Sequence, residues 1–537
     1  MKPILFLFAA AAVCTAQIQS ISGERIRADV KFLASDLLEG RGVSGRGGKL
    51  ATEYLAAQFA IAGAQPAGDN GTYFQKVPLV GVATQPDAQL TATRGGRTVS
   101  LKWQDEFVGA DQRQEAAGTF DAEAIFVGHG IVAPEFQWDD FKGVDVRGKV
   151  LVLFTNEPDS TDPKFFGGRA LTYYGRWTYK YEEALRKGAA AVLILHTTPT
   201  AGYGWNVVRS SWGREQFQVR LNPGEPALAL AGWTTEAAGR RILELAGQDF
   251  AKLLAASNSR DFRPIPLGIR IAGRLRSKLE DTDTRNVVAK IPGSDPALKS
   301  EAVVFSGHWD HLGIGSPVNG DAIYNGAVDN ATGCAMVLEI ARAWAALEQK
   351  PRRTALFLIP TAEESGLLGS EYYAAHPVFP AAKTAVDINL DGFFPLGRWL
   401  DVVVNGADRT TLWPLVEEAA RRSKFTIAPD PEPEQGSYYR SDHFPFAHAG
   451  VPAFSISQGA DIAGQPAGAG TRASRDYEEK HYHQPSDEYR PEWNFSGLED
   501  LARFAMLLGV NTANLDQVPT WNQGDEFLPA RQQSGVK

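Results

Sequence analysis

Five polar clusters in the C-terminal half of the chain carry side chains that could bind metal ions or transfer protons. In chain order they are Ser306–His311, Gly326–Asn330, Thr361–Glu364, Asn389–Gly392 and His481–Asp487. Their imidazoles and carboxylates are the mixed donors that suit Zn²⁺ better than Mn²⁺ or Co²⁺. Each cluster alone has a structural interpretation, because an aspartate can cap a helix and a glutamate pair usually faces solvent. Their joint occurrence favours bound cations, which would neutralise carboxylates that otherwise repel one another.

The elements around these clusters predict one sheet that would bring them together. Apolar, β-branched runs lie at 287–291, 302–305, 354–359, 385–390, 401–404 and 453–456. Helical patterns fill several gaps between them, at 331–347, 366–375, 411–423 and 497–508. Continuous apolar strands that alternate with helices are typical of a largely parallel sheet covered on both faces. Sites on such sheets form beyond the carboxyl ends of the strands, where several of the polar clusters lie.

The predicted fold class is therefore α/β, with a mixed, mostly parallel central sheet covered by helices on both faces and an inserted β-rich domain. The predicted parts are a signal peptide (1–16), the N-terminal part of the main domain (17–116), the inserted domain (117–274), the rest of the main domain (275–514) and a polar C-terminal tail (515–537). Residues 23–38 and 48–61 show helical spacing, and the glycine-rich segment between them is interpreted as a flexible connection.

Composition and the N-terminus limit the classes of function. The 537 residues carry a formal net charge of −9, which argues against a nucleic-acid binder. Lys2, the apolar run 4–13 and the small residue Ala16 resemble a secretory signal, so we expect an exported, periplasmic or secreted protein. Cys14 leaves lipoprotein anchoring open as an alternative. No later stretch reaches ~18 uncharged apolar residues, so no membrane span is expected.

Taken together, the polar clusters resemble the M28 family of zinc metallopeptidases over most of residues 285–510. The segment 23–78 resembles the N-terminal lead-in of that family, notably at Leu38–Arg41. The inserted domain resembles a protease-associated domain, especially at 144–150. The resemblance makes 275–514 the catalytic domain, which would act on a peptide or protein substrate.

The resemblance implies two Zn²⁺ ions per protomer. His308 and Asp391 would bind one ion, Glu364 and His483 would bind the other, and Asp329 would bridge them. Because M28 members often have a cis peptide at the bridging aspartate, an unusual bond is expected between Asp329 and the asparagine that follows it.

Further residues receive roles from the same resemblance. Glu363 matches the general base, and Tyr482 matches the residue that hydrogen-bonds the oxyanion. Asp310 is expected to orient His308, a common arrangement for a zinc-bound imidazole. Asp442 and Asp487 are expected to lie behind the ligands, although Asp442 could equally be a loop support. His311 is interpreted as a loop residue rather than a ligand.

The leading functional hypothesis is an aminopeptidase that releases N-terminal residues, and several alternatives stay open. They are a carboxypeptidase or dipeptidase of the same family, a single-zinc glutaminyl cyclase, and a non-catalytic receptor-like module. A single-zinc site would not need the complete ligand set, and a receptor-like module should have lost ligands or the base. Side-chain specificity and oligomeric state are not predicted.

Overall fold

The computed structural model describes residues 18–201 and 203–536. The predicted signal peptide (1–16) and Cys14 lie outside the described residues. The chain divides into two compact units. The first unit comprises the residues up to Val77, Asp283–Asp430 and Arg440–Lys537, and the second comprises Pro78–Thr282 and Pro431–Tyr439.

The helices and strands are numbered here in chain order. The helices are α1 Gly23–Leu33, α2 Arg46–Ile61, α3 Trp177–Arg186, α4 Thr198–Ala201, α5 Trp205–Trp212, α6 Glu236–Leu245, α7 Phe250–Ser257, α8 Thr332–Ala345, α9 Leu368–Ala375, α10 Trp413–Ser423, α11 His443–His448, α12 Ala469–Lys480, α13 Ser496–Ala513 and α14 Leu528–Gln533. The strands are β1 Gln65–Pro66, β2 Phe74–Thr84, β3 Gln89–Arg94, β4 Arg97–Leu101, β5 Phe107–Ala110, β6 Ala117–Phe126, β7 Val132–Ala133, β8 Trp138–Asp139, β9 Val150–Phe154, β10 Ala191–Leu195, β11 Gln216–Val219, β12 Ala231–Thr234, β13 Ile265–Ile291, β14 Ala302–Ser306, β15 Gly313–Val318, β16 Asp321–Tyr324, β17 Thr354–Ile359, β18 Thr384–Leu390, β19 Asp401–Asn405, β20 Thr426–Ile427 and β21 Ala453–Gln458.

The first unit is built on a mixed sheet with a parallel centre. Its strand order is β13–β17–β14–β18–β21–β19–β20. Strands β17, β14, β18 and β21 run parallel to one another, while β13 and β19 join this centre antiparallel. The predicted fold class is thereby confirmed. The parallel centre places the carboxyl ends of its strands at one edge of the sheet.

The central strands are apolar because both of their faces are covered. Every residue of β14, β17 and β18 is buried, and α8 buries nearly its whole length. Phe305 on β14 stacks on Phe357 of β17 and meets Trp344 of α8 edge-on. Burial on both faces explains why these strands appear in the sequence as continuous apolar runs rather than as alternating ones.

The second unit contains more of the chain than the predicted inserted domain. Its sheet has the order β5–β12–β10–β9–β6–β13–β3–β4. Residues 78–116, assigned to the main domain from sequence, belong to this unit because β3 pairs with β13 and β5 pairs with β12. Helices α3 to α7 also lie in this unit, so it is not solely β-structured.

The C-terminal segment is packed rather than a loose polar tail. Trp521 is 1% exposed and donates a hydrogen bond from Nε1 to the carbonyl of Gly450. Arg531 is fully buried in α14. Residues 515–536 therefore belong to the first unit. None of the described helices combines the length and apolar character that a membrane crossing requires.

Candidate metal centre

The predicted ligands lie where the central strands end and in the loops beside them. His308 follows β14, Glu364 follows β17, and Asp391 comes directly after β18. Asp329 lies in the turn that leads into α8, and His483 lies three residues after α12. Three of the five positions are thus fixed by neighbouring parallel strands.

Asp329 lies between the two imidazoles. Its Oδ1 is 3.2 Å from Nε2 of His308, and its Oδ2 is 3.4 Å from Nε2 of His483. Nε2 of His308 is also 3.2 Å from Oδ1 of Asp391, and Nε2 of His483 is 2.9 Å from Oε2 of Glu364. The five side chains thus form two half-sites that share one carboxylate.

The donor atoms fit metal ions on chemical grounds. Two trios, each with its donor atoms within 4.8 Å of one another, are His308, Glu363 and Asp391, and His311, Asp329 and Glu364. Nε2 of His483 approaches Glu364 and yet makes no hydrogen bond of acceptable geometry. These donor atoms converge on one region, and imidazole with carboxylate is a donor set that zinc accepts.

The carboxylates change the protonation of the two imidazoles. Burial lowers the pKa of His308, but Asp391 and Glu363 raise it, and the net pKa lies well above the usual value. Burial and Glu364 oppose each other in the same way at His483, whose pKa rises to about 10. A bound cation would replace these protons, because metal ligands bind in their deprotonated form.

Glu363 lies beside the cluster with its carboxylate partly open. Its side chain is 12% exposed, and its Oε2 is 4.0 Å from Nε2 of His308. Its backbone N–H donates a 3.2 Å hydrogen bond to Oδ1 of Asp310. Burial raises the pKa of Glu363 well above its usual value, and Glu364 adds to this against the attraction of His308.

The turn that carries Asp329 is held by its neighbours. The peptide bond between Asp329 and Asn330 is cis, which confirms the expectation of an unusual bond there. Asn330 donates from Nδ2 to the carbonyl of Leu390, 3.0 Å away. The carboxylate of Asp487 accepts hydrogen bonds from the backbone N–H groups of Val328 and Asp329. Asp487 thus holds the backbone of the turn that carries Asp329.

The contact between Asp310 and His308 differs from the expected one. The ring Nδ1 of His308 hydrogen-bonds the backbone carbonyl of Asp310 at 3.1 Å, while the Asp310 carboxylate lies 3.9 Å away. The carboxylate instead accepts from the backbone of Glu363. Asp310 therefore holds the imidazole through its main chain and the Glu363 loop through its side chain.

Asp442 supports the loop around the site. Its carboxylate accepts a 2.6 Å hydrogen bond from Ser370 on α9, and burial raises its pKa to about 7. The adjacent Ser441 donates to Oδ2 of Asp391 at 2.6 Å, and Asn389 donates to Ser441. Ser441 was not among the predicted site residues, although it directly precedes Asp442.

His311 contacts the centre more closely than expected. Its Nδ1 is 2.6 Å from Oε1 of Glu364, so the ring N–H donates to this predicted ligand. His311 is 2% exposed. The sequence signal was its place in the same cluster as His308, but the spacing did not show which way its ring points.

Tyr482 lies at the surface side of the centre. It is 48% exposed, and its ring stacks on that of His483 with centroids 3.8 Å apart. The stacking places an exposed phenol next to a predicted ligand.

A comparison with known families agrees with this geometry. Residues 286–505 match the sequence profile of peptidase family M28. This segment is an M28 domain. It contains all five predicted ligands and Glu363, and it lies within the first unit, apart from the short stretch 431–439.

Curated relatives of the M28 domain include peptidases of different kinds. Leupeptin-inactivating enzyme 1 of Streptomyces exfoliatus is 30% identical over 184 residues, which cover 33% of this chain and 36% of that protein. The probable glutamate carboxypeptidase AMP1 of Arabidopsis thaliana is 26% identical over 392 residues, 64% of this chain and 49% of that protein. The chain thus spans between a third and a half of the length of these relatives.

A solved structure shares the fold. An aminopeptidase from Aneurinibacillus sp. strain AM-1 superposes with a TM-score of 0.50 at 18% identity, over 94% of this chain and 96% of that one. This likeness supports the fold assignment and extends beyond the M28 domain.

Proposed function

We propose that the chain is a zinc-dependent exopeptidase that holds two zinc ions and removes N-terminal residues from peptides. The observation that carries the proposal is the position of Asp329, whose two oxygens face His308 and His483 at 3.2 and 3.4 Å. A carboxylate shared in this way is what a pair of adjacent metal ions requires. His308 and Asp391 would hold one ion, and Glu364 and His483 the other.

The residues of the centre divide the work of peptide hydrolysis. Zinc would supply Lewis acidity, which lowers the pKa of the attacking water and polarises the scissile carbonyl. Glu363 accepts the proton of that water at its carboxylate and delivers it to the leaving amine. The exposed phenol of Tyr482 donates a hydrogen bond to the oxygen that becomes negative. Asp310 and Asp487 keep the loops of His308 and Asp329 in place.

We take a free N-terminus, rather than a free C-terminus, as the group recognised. A carboxypeptidase needs a cation for the substrate carboxylate, most often an arginine. Arg41, a buried arginine next to the centre, donates its hydrogen bonds to backbone carbonyls. Its guanidinium is therefore occupied by main-chain carbonyls and does not serve to bind a substrate carboxylate. The similarity to an aminopeptidase of known structure supports the same choice.

A panel of blocked peptides tests the substrate class. We expect a peptide with a free N-terminus and an amidated C-terminus to be hydrolysed, and its N-acetylated, C-terminally free counterpart to be resistant. The reverse pattern would indicate a carboxypeptidase. Cyclisation of an N-terminal glutamine without hydrolysis would indicate a cyclase, and the absence of all turnover in zinc-loaded protein would favour a receptor-like module.

Metal analysis tests the centre itself. The purified chain is expected to bind about two zinc ions, as a shared carboxylate implies. Asp329→Asn removes the charge that would bridge them and should abolish binding of at least one ion. Asp408→Asn, at an exposed position, is the control and should bind as the wild type does. One zinc per wild-type chain would contradict the two-ion centre and leave the single-zinc alternative.

Export is a separate part of the proposal. It is supported by the signal-like pattern of Lys2, residues 4–13 and Ala16 in the sequence. N-terminal sequencing of the protein recovered from outside the cytoplasm should show that chain cleaved after Ala16. Recovery of the uncleaved chain from the cytoplasm would contradict it.

A further inference from the structure

A buried arginine outside the M28 domain touches the loops of the metal centre. Arg41 is 1% exposed. Its Nε donates to the carbonyl of Trp309 at 2.8 Å, and its Nη2 donates to that of Gly326 at 2.8 Å. Its Nη1 donates to the carbonyls of Asn325 and Leu33, both at 2.6 Å. One guanidinium thus holds three stretches of main chain.

Two of these stretches carry predicted ligands. Trp309 is bonded directly to His308, and Gly326 lies three residues before Asp329. Conversely, the carbonyl of Arg41 accepts a hydrogen bond from the backbone N–H of His311. The arginine therefore joins the His308 loop to the Asp329 loop through main-chain atoms, independently of any contact between the two ligands.

The backbone around Arg41 is held in an uncommon conformation. Glu39, Gly40 and Arg41 have φ angles of 50°, 66° and 51°, in the left-handed region. A Cβ atom on Gly40 would come within 2.4 Å of the carbonyl oxygen of Tyr324 and 2.5 Å of that of Gly313. Such a conformation persists only where surrounding contacts determine it, and here those contacts are with the loops that flank the centre.

We propose that Arg41 is a positioning residue that sets the distance between the His308 and Asp329 loops and so sets the affinity of the centre for zinc. This inference rests on the proposed function, because it presumes a zinc centre at these loops. It adds a residue from outside 286–505, so the matched segment alone lacks a part that its centre requires.

Only arginine suits this position. Its planar guanidinium offers donors in a rigid fork that can reach several carbonyls in different directions at once. A lysine ammonium would keep the charge, but its three donors radiate from a single atom and cannot span the same carbonyls. Arg41→Lys therefore separates the geometric role from the charge.

The experiment compares Arg41→Lys with Arg531→Lys. Arg531 is equally buried and donates hydrogen bonds to the carbonyls of Pro519, Ala381 and Thr384. Thr384 begins strand β18, whereas Asp391 follows the other end of that strand, so Arg531 is remote from the centre. Zinc affinity is measured by competition with a chromophoric chelator, and the spectrum of the Co²⁺-loaded protein is recorded. Arg41→Lys is expected to weaken zinc binding about 10- to 100-fold, the range for residues that orient metal ligands, and to alter the spectrum. Arg531→Lys should leave both unchanged.

Equal zinc affinity in Arg41→Lys and wild type would overturn the inference, as would equal losses in both variants. A wild-type chain that binds no zinc would overturn the proposed function and this inference with it. If the wild type binds zinc and Arg41→Lys binds it with the same affinity, this inference is overturned while the proposed function stands.

A measurement on the wild type covers the case in which Arg41→Lys does not fold. Coupling between sites is reciprocal, so zinc that depends on Arg41 must also stabilise the segment around Arg41. Amide hydrogen exchange is compared between zinc-loaded and chelator-stripped protein. Slower exchange in 36–42 on zinc loading, with 519–531 unchanged, supports the inference. Unchanged exchange in 36–42 overturns it.

Discussion

Glu363 and Glu364 are neighbours in the chain but have opposite electrostatic surroundings. Glu364 lies between His311 and His483, and these imidazoles outweigh burial and lower its pKa to about 2. Burial and nearby carboxylates instead raise the pKa of Glu363 well above its usual value. Two adjacent carboxyl groups whose pKa values are driven apart are suited to different tasks, one to binding a cation and the other to moving a proton.

Glu363→Gln tests this division. The amide is nearly isosteric but cannot accept the proton of the attacking water, so kcat should fall by ~10² to 10⁴, as expected for loss of a general base. Zinc content should stay at the wild-type value, because the proposed ligands are intact. Steady-state hydrolysis and metal analysis of the same preparation give both values. Retained turnover would remove Glu363 from this role.

At this scale the sequence indicated the ligand candidates and the supporting aspartates Asp310, Asp442 and Asp487, but neither Ser441 nor Arg41. Four of the five ligand candidates stand out because they follow a strand or precede a helix, whereas His483 follows helix α12. Arg41 was interpreted as part of a flexible connection, because its neighbours are glycines. Three of its four acceptors, the carbonyls of Trp309, Asn325 and Gly326, lie more than 260 residues away in the chain. Local pattern carries no information on contacts of that range, nor on whether Asp310 uses its carbonyl or its carboxylate.

At the scale of elements, three helices begin against backbone from elsewhere in the first unit. The second residues of α2, α8 and α13 are Gly47, Gly333 and Gly497. A Cβ at each would lie 1.6, 2.1 and 2.0 Å from a carbonyl oxygen. These glycines allow the starts of the helices to pack directly on main chain. At α8 the carbonyl is that of Leu390, which immediately precedes Asp391.

Gly333→Ala should therefore disturb both stability and the centre. The added methyl would also lie 2.3 Å from Oδ1 of Asn330, so a shift is unavoidable. Overpacking of this kind costs ~1 to 3 kcal/mol. Chemical denaturation should show that loss, and the variant should bind zinc more weakly. Gly45→Ala is the control, because its nearest atom would be 3.4 Å away; an equal loss there would contradict the steric argument.

The strands and helices of the first unit followed from periodicity, whereas the contacts at the start of α13 and the extent of the second unit did not. Phe495 precedes α13 and offers no side-chain cap. The carboxylate of Glu499 accepts a hydrogen bond from the backbone N–H of Gly23. Residues 78–116 were placed in the main domain from sequence, whereas β3 and β5 pair within the second unit with partners distant in sequence, which spacing alone does not show.

At the scale of the whole molecule, the second unit contains buried ionisable groups that should make the stability of the chain depend on pH. Burial, with the nearby ammonium of Lys180, lowers the pKa of His129 to about 4. The Lys180 ammonium itself donates to the carbonyls of Asn156 and Tyr174. His129 is therefore neutral in the folded chain at pH values where an exposed histidine is protonated.

Acidification should destabilise the second unit through His129. Its folded pKa is below its unfolded value of 6.5, so its contribution is complete above pH 6.5 and is lost as the pH falls towards 4. The free energy of unfolding falls by up to about 3 kcal/mol, because the unfolded and folded pKa values of His129 differ by about 2.5 and one pKa unit corresponds to about 1.36 kcal/mol. The contribution of His129 is measured by comparing the Tm of the wild type with that of His129→Gln between pH 4.5 and 7.5. If Tm changes with pH in the same way in both proteins, His129 does not contribute to the pH dependence of stability.

The centre takes parts from widely separated regions of the chain. Arg41 lies near the start, Asp329 in the middle and His483 near the end, and Trp521 packs on Gly450 after all of them. A ribosome makes these parts in that order, so His483 is added after Arg41 and Asp329. A nascent chain that ends before His483 lacks one of the two predicted imidazole ligands. The five predicted ligands therefore first occur together in a nascent chain that already contains all the strands of the sheet beside which they lie.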